Sequence, residues 1–182
     1  VGATAVLATD PDADRLAVAI PSADGWRRLS GDEVGCLLAH HLLGHGTADD
    51  ALVVSSIVSS ARLDEVAAHH GARRETTLTG FKWIWRAGRE LADDTTFVLG
   101  YEEALGYSVG EVVRDKDGIS ACLVMADLIA SLAAEGWTLA DALDDLAVVT
   151  GRWANVQRSA RREGPGGAGE IAAAVETAAV AA

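Results

Sequence analysis

The sequence predicts an α/β fold. It should be a mixed, mostly parallel sheet flanked by helices, entered through a strand–loop–strand unit. Three observations predict it. Short apolar or β-branched runs alternate with helical patterns of about 10–15 residues, the order that builds βαβ units and parallel sheets. The 182 residues are 49% hydrophobic, which allows a sizeable core. An acidic stretch, Asp10 to Arg15, lies between two short apolar runs, Ala5–Ala8 and Leu16–Ile20.

The elements follow in order. Residues 3–10 read as a core strand, and Leu16–Ile20 as its returning partner. Ser30 followed by Glu33 has capping-box spacing and opens a helix from Val34 to about Leu43, closed by Gly44. Ala51–Ser56 is a β-branched run and a buried strand. A helix begins near Ser60, carries Leu63, Val66 and Ala67 on one face, and stops at Gly71. Residues 73–78 form a short strand, 78–80 a loop and Phe81–Leu91 a helix. Thr96–Leu99 is a strand, Gly100–Tyr107 a loop and Asp115–Gly118 a second loop. Ile119–Ala134 is a long apolar helix. Thr138, with Asp141 three residues on, opens one more. From Gly151 the pattern weakens: residues 158–169 read as a basic, then glycine-rich linker, and the alanine-rich 170–182 as a possible helix. In open α/β sheets ligands sit beyond the carboxyl ends of the strands. The loops at 10–15, 79–82, 100–107 and 115–118 are therefore expected to open on one side.

Chemistry concentrates in those loops. Asp10, Asp12 and Asp14 place three carboxylates in five residues. Their mutual repulsion is relieved by a hard divalent cation such as Mg²⁺ or Ca²⁺, or by solvent on an acidic turn. An EF-hand is excluded, because its sixth and twelfth positions would be Arg15 and Pro21 rather than Gly and Glu. Asp10 and Asp12 at a strand end also match the outline of an aspartyl-phosphate nucleophile with its acid/base partner. Only two of the 15 basic residues are lysines, Lys82 and Lys116, and both fall in glycine-marked loops. A compact ammonium that titrates at accessible pH differs chemically from the arginines used elsewhere. The loop Tyr101-Glu102-Glu103-Ala104-Leu105-Gly106-Tyr107 offers adjacent carboxylates for neighbouring sugar hydroxyls.

The formal net charge of −12 and the absence of any basic cluster beyond arginine pairs argue against nucleic-acid binding. An anionic substrate would be held by local cations and a metal, not by the global field. No apolar run reaches the ~20 residues of a membrane span, and no signal peptide is visible. Cys36 and Cys122 read as buried free thiols of a reducing, cytoplasmic compartment. The five histidines read as surface or helix-end residues. The first residue is Val1, with strand pattern immediately after it, so the chain is read as a fragment or processed piece of something longer.

Together these pieces resemble the α-D-phosphohexomutases, the phosphoglucomutase and phosphomannomutase family. Asp10, Asp12, Asp14 and Arg15 match its Asp-x-Asp-x-Asp-Arg metal loop. Thr79 to Lys82 match its Thr-Gly-aromatic-Lys loop, Gly100 to Gly106 its Glu-rich sugar loop, and Lys116 to Gly118 its Lys-Asp-Gly loop. The wording of the second and third motifs is closest to the branch holding bacterial phosphomannomutases and the phosphoglucomutase-2/phosphopentomutase type. The resemblance implies the end of a second domain at 1–28, a third, sugar-binding domain at 29–150, and a linker with an alanine-rich tail at 151–182. It implies interconversion of hexose 1-phosphate and hexose 6-phosphate through a bisphosphorylated intermediate. Asp10, Asp12 and Asp14 would hold Mg²⁺. Arg15 would steady a phosphate or an aspartate. Lys116 would lie near the transferring oxygen as proton donor or phosphate partner. Thr79, Gly80, Lys82 and Glu102 would bind the sugar, and Ala104, where relatives often carry Ser, would lose or relay one contact. A glucose 1,6-bisphosphate-type activator is implied as well. No Thr-x-Ser-His-Asn-Pro-like sequence and no phosphate-clamping Arg/Ser/Gly/Thr loop occurs, so the phosphoserine of domain 1 and the clamp of domain 4 would come from elsewhere in the enzyme. This chain alone is then expected to be inactive. Two other readings stand beside this one: an aspartyl-phosphate phosphatase using Asp10, and a Mg²⁺-stabilised non-catalytic fragment.

Overall fold

The computed structural model describes residues 2–46, 50–155, 164 and 166–180. Two sheets form the frame. The first is antiparallel, with β1 (Val6–Thr9), β2 (Leu16–Ser22) and β3 (Gly25–Arg28) in the order β1-β2-β3. The second contains β4 (Ala51–Ser56), β5 (Arg73–Thr77), β6 (Thr96–Glu102) and β7 (Gly106–Val109) in the order β5-β4-β6-β7. There β4 runs parallel to β5 and β6, while β7 returns antiparallel on β6. This is the mixed, mostly parallel sheet that the alternating pattern predicts. Six helices accompany it among the described residues: α1 (Gly31–Gly44), α2 (Arg62–His70), α3 (Phe81–Glu90), α4 (Gly118–Ala134), α5 (Leu139–Thr150) and α6 (Gly167–Val180).

The helix ends follow local chemistry. Ser30 Oγ accepts the Glu33 N–H at 3.2 Å, and the Glu33 carboxylate accepts the Ser30 N–H at 2.8 Å, a reciprocal cap on α1. Thr138 and Asp141 repeat the device on α5. Asp117 caps α4 by accepting the Ile119 N–H at 3.0 Å. Gly71, at φ +69°, ends α2 in a left-handed turn.

Side-chain alternation in the strands sorts the core into two faces. Val53, Leu99 and Tyr101 point into a large core shared with α1, α2, α4, α5 and β2. Leu52, Val54 and Phe97 point the other way, onto Phe81, Ile84 and Trp85 of α3. The β4–β6 register slips after Leu52, which pairs with Phe97 while Val53 pairs with Leu99. That slip leaves Val98 on the same side as Leu99.

The structure departs from expectation in four places. Residues 100–107 are not a loop. They are the end of β6 and the start of β7, joined by Glu103–Leu105, because Glu102 pairs with Gly106 and Tyr101 with Tyr107. β3 is an unexpected strand; its residues (Gly-Trp-Arg-Arg) carry no alternating pattern, and it is all exposed. β1 is no core strand: three of its four residues are exposed, as suits the edge of a small sheet. The histidines are not all superficial. His41 is buried, with Nε2 2.9 Å from Asp127 Oδ2, and His40 and His70 touch between α1 and α2. Cys36 is buried and Cys122 half-buried, both free thiols. Most of the expected linker at 158–169 lies outside the described residues, and α6 occupies the alanine-rich tail. Among the described residues no single helix is long and apolar enough to cross a membrane.

Candidate functional site

The acidic loop is a tight turn. The Ala13 N–H donates to Asp10 O at 3.0 Å, Ala13 itself takes φ +57°, and the Arg15 N–H donates to Asp10 Oδ1 at 3.1 Å. The turn gathers Asp10, Asp12 and Asp14 so that one carboxylate oxygen from each lies within 4.8 Å of the others. The donor set is all oxygen, which suits a hard divalent ion. Asp14 Oδ1 is shielded from solvent and accepts no hydrogen bond among the described residues; Arg15 Nε stands 3.5 Å from it, which leaves a lone pair for a divalent ion. These residues therefore fit Mg²⁺.

Four cation and backbone contacts tie this loop to the hairpin of the larger sheet and to the start of α4. Lys116 Nζ lies 2.5 Å from Asp14 Oδ2. That contact holds the Asp14 carboxyl below the usual carboxylate range and raises the Lys116 ammonium above its ordinary value. Arg15 Nε lies 3.5 Å from Asp14 and 3.8 Å from Asp10, while its Nη1 donates to the Ala104 carbonyl at 3.0 Å. The Leu16 N–H donates to Leu105 O at 3.1 Å, and the Gly118 N–H to Ala13 O at 3.0 Å. Gly118 is required there: a Cβ would sit 2.3 Å from the Arg15 carbonyl oxygen. Gly106 is required as well, since a Cβ would meet Lys116 Cδ at 2.6 Å and the Phe81 ring at 3.3 Å.

The four loops expected to share one side are thus brought together. Gly80, the residue before α3, donates its N–H to Glu102 Oε1 at 2.6 Å, so the Thr79–Lys82 loop leans on the glutamate loop. The Lys116 ammonium lies 6.0 Å from the Phe81 ring centroid. Thr79 is exposed beside them. Ala104 offers its carbonyl to Arg15. Lys82 is exposed, stacked 5.3 Å over Trp83, and faces a cleft along α3. Sequence reasoning read Glu103, with Glu102, as an acceptor for sugar hydroxyls and missed its role as an anchor. Its carboxylate accepts from Ser56 and Ser59, each at 3.3 Å, and its N–H donates to Ser59 at 3.2 Å, anchoring the hairpin tip to the loop after β4. The serine pair Ser55-Ser56 at the end of a buried strand was the available signal.

The site thus sits on a three-layer α/β/α domain, with an acidic metal-type loop, a lysine on it and a glutamate-bearing hairpin beside it. Residues 30–148 match the family profile described as phosphoglucomutase/phosphomannomutase, alpha/beta/alpha domain III, and the chain belongs to that family. It is 43% identical over 158 residues to a Haemophilus influenzae protein described as a phosphomannomutase, an alignment covering 86% of this chain and 31% of that one. It is 40% identical over 161 residues to the phosphopentomutase of Mus musculus, covering 83% and 26%. A Thermus thermophilus crystal structure described as a phosphomannomutase superposes with a TM-score of 0.67 at 29% identity, over 80% of this chain and 30% of that chain. The chain spans a quarter to a third of the length of the relatives it matches.

Proposed function

We propose that this chain is the metal-loop and sugar-binding part of a cytoplasmic phosphohexomutase that interconverts hexose 1-phosphate and hexose 6-phosphate through a bisphosphorylated intermediate. The convergence of the acidic loop, Lys116 and the Glu102–Gly106 hairpin carries the reading, above all Lys116 Nζ at 2.5 Å from Asp14 and Arg15 bridging Asp14 to Ala104 O. Phosphoryl transfer needs positioning and charge neutralisation more than covalent participation by the protein. Asp10, Asp12 and Asp14 would hold Mg²⁺, which when bound neutralises charge on the transferring group. Lys116, kept protonated by Asp14, serves better as a partner for phosphoryl oxygens than as a base. Arg15 positions the hairpin against the metal loop. Glu102 commits Oε1 to Gly80 and leaves Oε2 for a sugar hydroxyl. Thr79 and Gly80 shape the pocket wall by close backbone approach, with Lys82 at its edge. The phosphoserine, the phosphate clamp and a glucose 1,6-bisphosphate-type activator belong to other domains and to the solution.

The test is Mg²⁺ titration of this chain by amide NMR, paired with a mutase assay on glucose 1-phosphate and mannose 1-phosphate. Saturable shifts in residues 9–16, weakened about tenfold or more by Asp12→Asn, with no turnover by the chain alone, support the proposal. No Mg²⁺ response would overturn it. A BeF₃⁻ adduct on Asp10 together with phosphate-ester hydrolysis would replace it with the aspartyl-phosphate phosphatase.

A further inference from the structure

A second cluster of charge lies apart from the acidic loop and its partners. Lys82, Arg86 and Arg89 of α3 and Arg114 of the loop after β7 line one cleft of about 510 Å³ with Trp85 and Glu90. Four cations face one carboxylate there, on a chain whose net charge is −12. Arg86 Nε is taken by Glu90 at 2.7 Å, whereas Lys82, Arg89 and Arg114 form no ion pair among the described residues. All four cations are exposed, so solvent separates them and their repulsion is tolerated.

The wall of the cleft carries an independent sign. Trp85 is 7% exposed, packed on Phe97 with ring centroids 4.6 Å apart. Its Nε1 is shielded from solvent and has no acceptor among the described residues. A buried indole N–H normally finds a partner, and one left without costs free energy comparable to a lost hydrogen bond. The cations around it are donors too, and the one carboxylate of the cleft, Glu90, is committed to Arg86. The missing acceptor must then come from outside the protein, either water or an anion. Water would satisfy Trp85 and hydrate the exposed cations, but only an anion would also offset the charge of Lys82, Arg89 and Arg114.

We propose that this cleft binds the phosphoryl group of a small phosphorylated molecule. Its oxygens would accept from the Arg89 and Arg114 guanidinium forks and the Lys82 ammonium, as charge-assisted pairs, and one would accept from Trp85 Nε1 after a small side-chain movement. The site uses none of the Asp10–Asp14 carboxylates and stands whether or not the mutase reading holds.

The experiment follows the Trp85 indole N–H resonance, identified by its loss in Trp85→Phe, during titration in EDTA so that the acidic loop carries no metal. One arm adds inorganic phosphate, a second glucose 1-phosphate, and a third sodium chloride at matched ionic strength. A saturable shift in the phosphate arms, absent with chloride, and weakened about tenfold by Arg89→Gln and by Arg114→Gln, is expected. Equal affinity in the first two arms would identify free phosphate as sufficient, and tighter sugar phosphate binding would bring the sugar into the site. Failure of the indole to respond, a chloride response of the same size, or indifference to both arginine variants overturns the proposal. Because both arginines are exposed, their replacement leaves the core intact.

Discussion

At the scale of single residues, the site is governed by a competition for Asp14. Lys116 Nζ occupies Asp14 Oδ2 at 2.5 Å, and a divalent cation needs the same carboxylate. Lys116→Met removes the competitor and should tighten Mg²⁺ binding to this chain several-fold, as an opposite charge within about 4 Å is worth of order 1 kcal/mol or more near a surface. Isothermal titration calorimetry reads it, and weaker binding in the variant would contradict the competition. The glycines show the other residue-level constraint. Gly118→Ala drives a methyl to 2.3 Å from the Arg15 carbonyl, a backbone atom that cannot rotate away. It should cost about 1–3 kcal/mol, the usual range for overpacking, seen as a lower urea midpoint with unchanged m. An unchanged midpoint would mean that the acidic loop is not held against α4 as described.

At the scale of elements, α1 and α2 meet through histidines. His70 Nε2 lies 2.9 Å from His40 Nδ1, and the His69 ring centroid is 4.8 Å from that of His70. Burial, aided by the neighbouring imidazoles, pushes the His70 pKa down to about 4 from an ordinary 6.5, and burial lowers that of His40. Between about pH 6.5 and 4 the unfolded chain binds the His70 proton and the folded one does not, so stability falls as pH drops through that window. His70→Gln should flatten the dependence there, measured by urea unfolding at several pH values, and an unaltered slope would show that other groups carry it. The sequence placed these histidines on helix ends but could not show that two helices bring them together. The same limit explains the hairpin. Gly100 and Gly106 read as loop residues, yet both lie in strands, because Ile84 and Phe97 crowd the first and Lys116 and Phe81 the second. Glycine stands there for close approach rather than for a turn.

At the scale of the whole molecule, the small sheet and the large one share a core. Leu16, Val18 and Ile20 of β2 belong to the same cluster as Val53, Leu99 and Leu146. They should therefore unfold together. Leu16→Ala, at a fully buried site, is expected to cost about 2–5 kcal/mol and to lower one common transition for amides of β2 and β4 in an NMR-monitored urea series. Two separate transitions would show that the strand–loop–strand unit is an independent body. The sequence by itself determined the α/β class, the caps of α1 and α5, and the four segments that carry chemical side chains. Those properties rest on periodicity and on hydrogen bonds within a few residues, which neighbours along the chain dictate. Only the tertiary structure decided that Lys116 reaches Asp14, that Arg15 grips Ala104, that Glu103 is an anchor, and that Trp85 and Arg114 face one cationic cleft. These contacts join residues far apart in sequence, and their partners are chosen by how helices pack across the two faces of a sheet, a property no local pattern encodes.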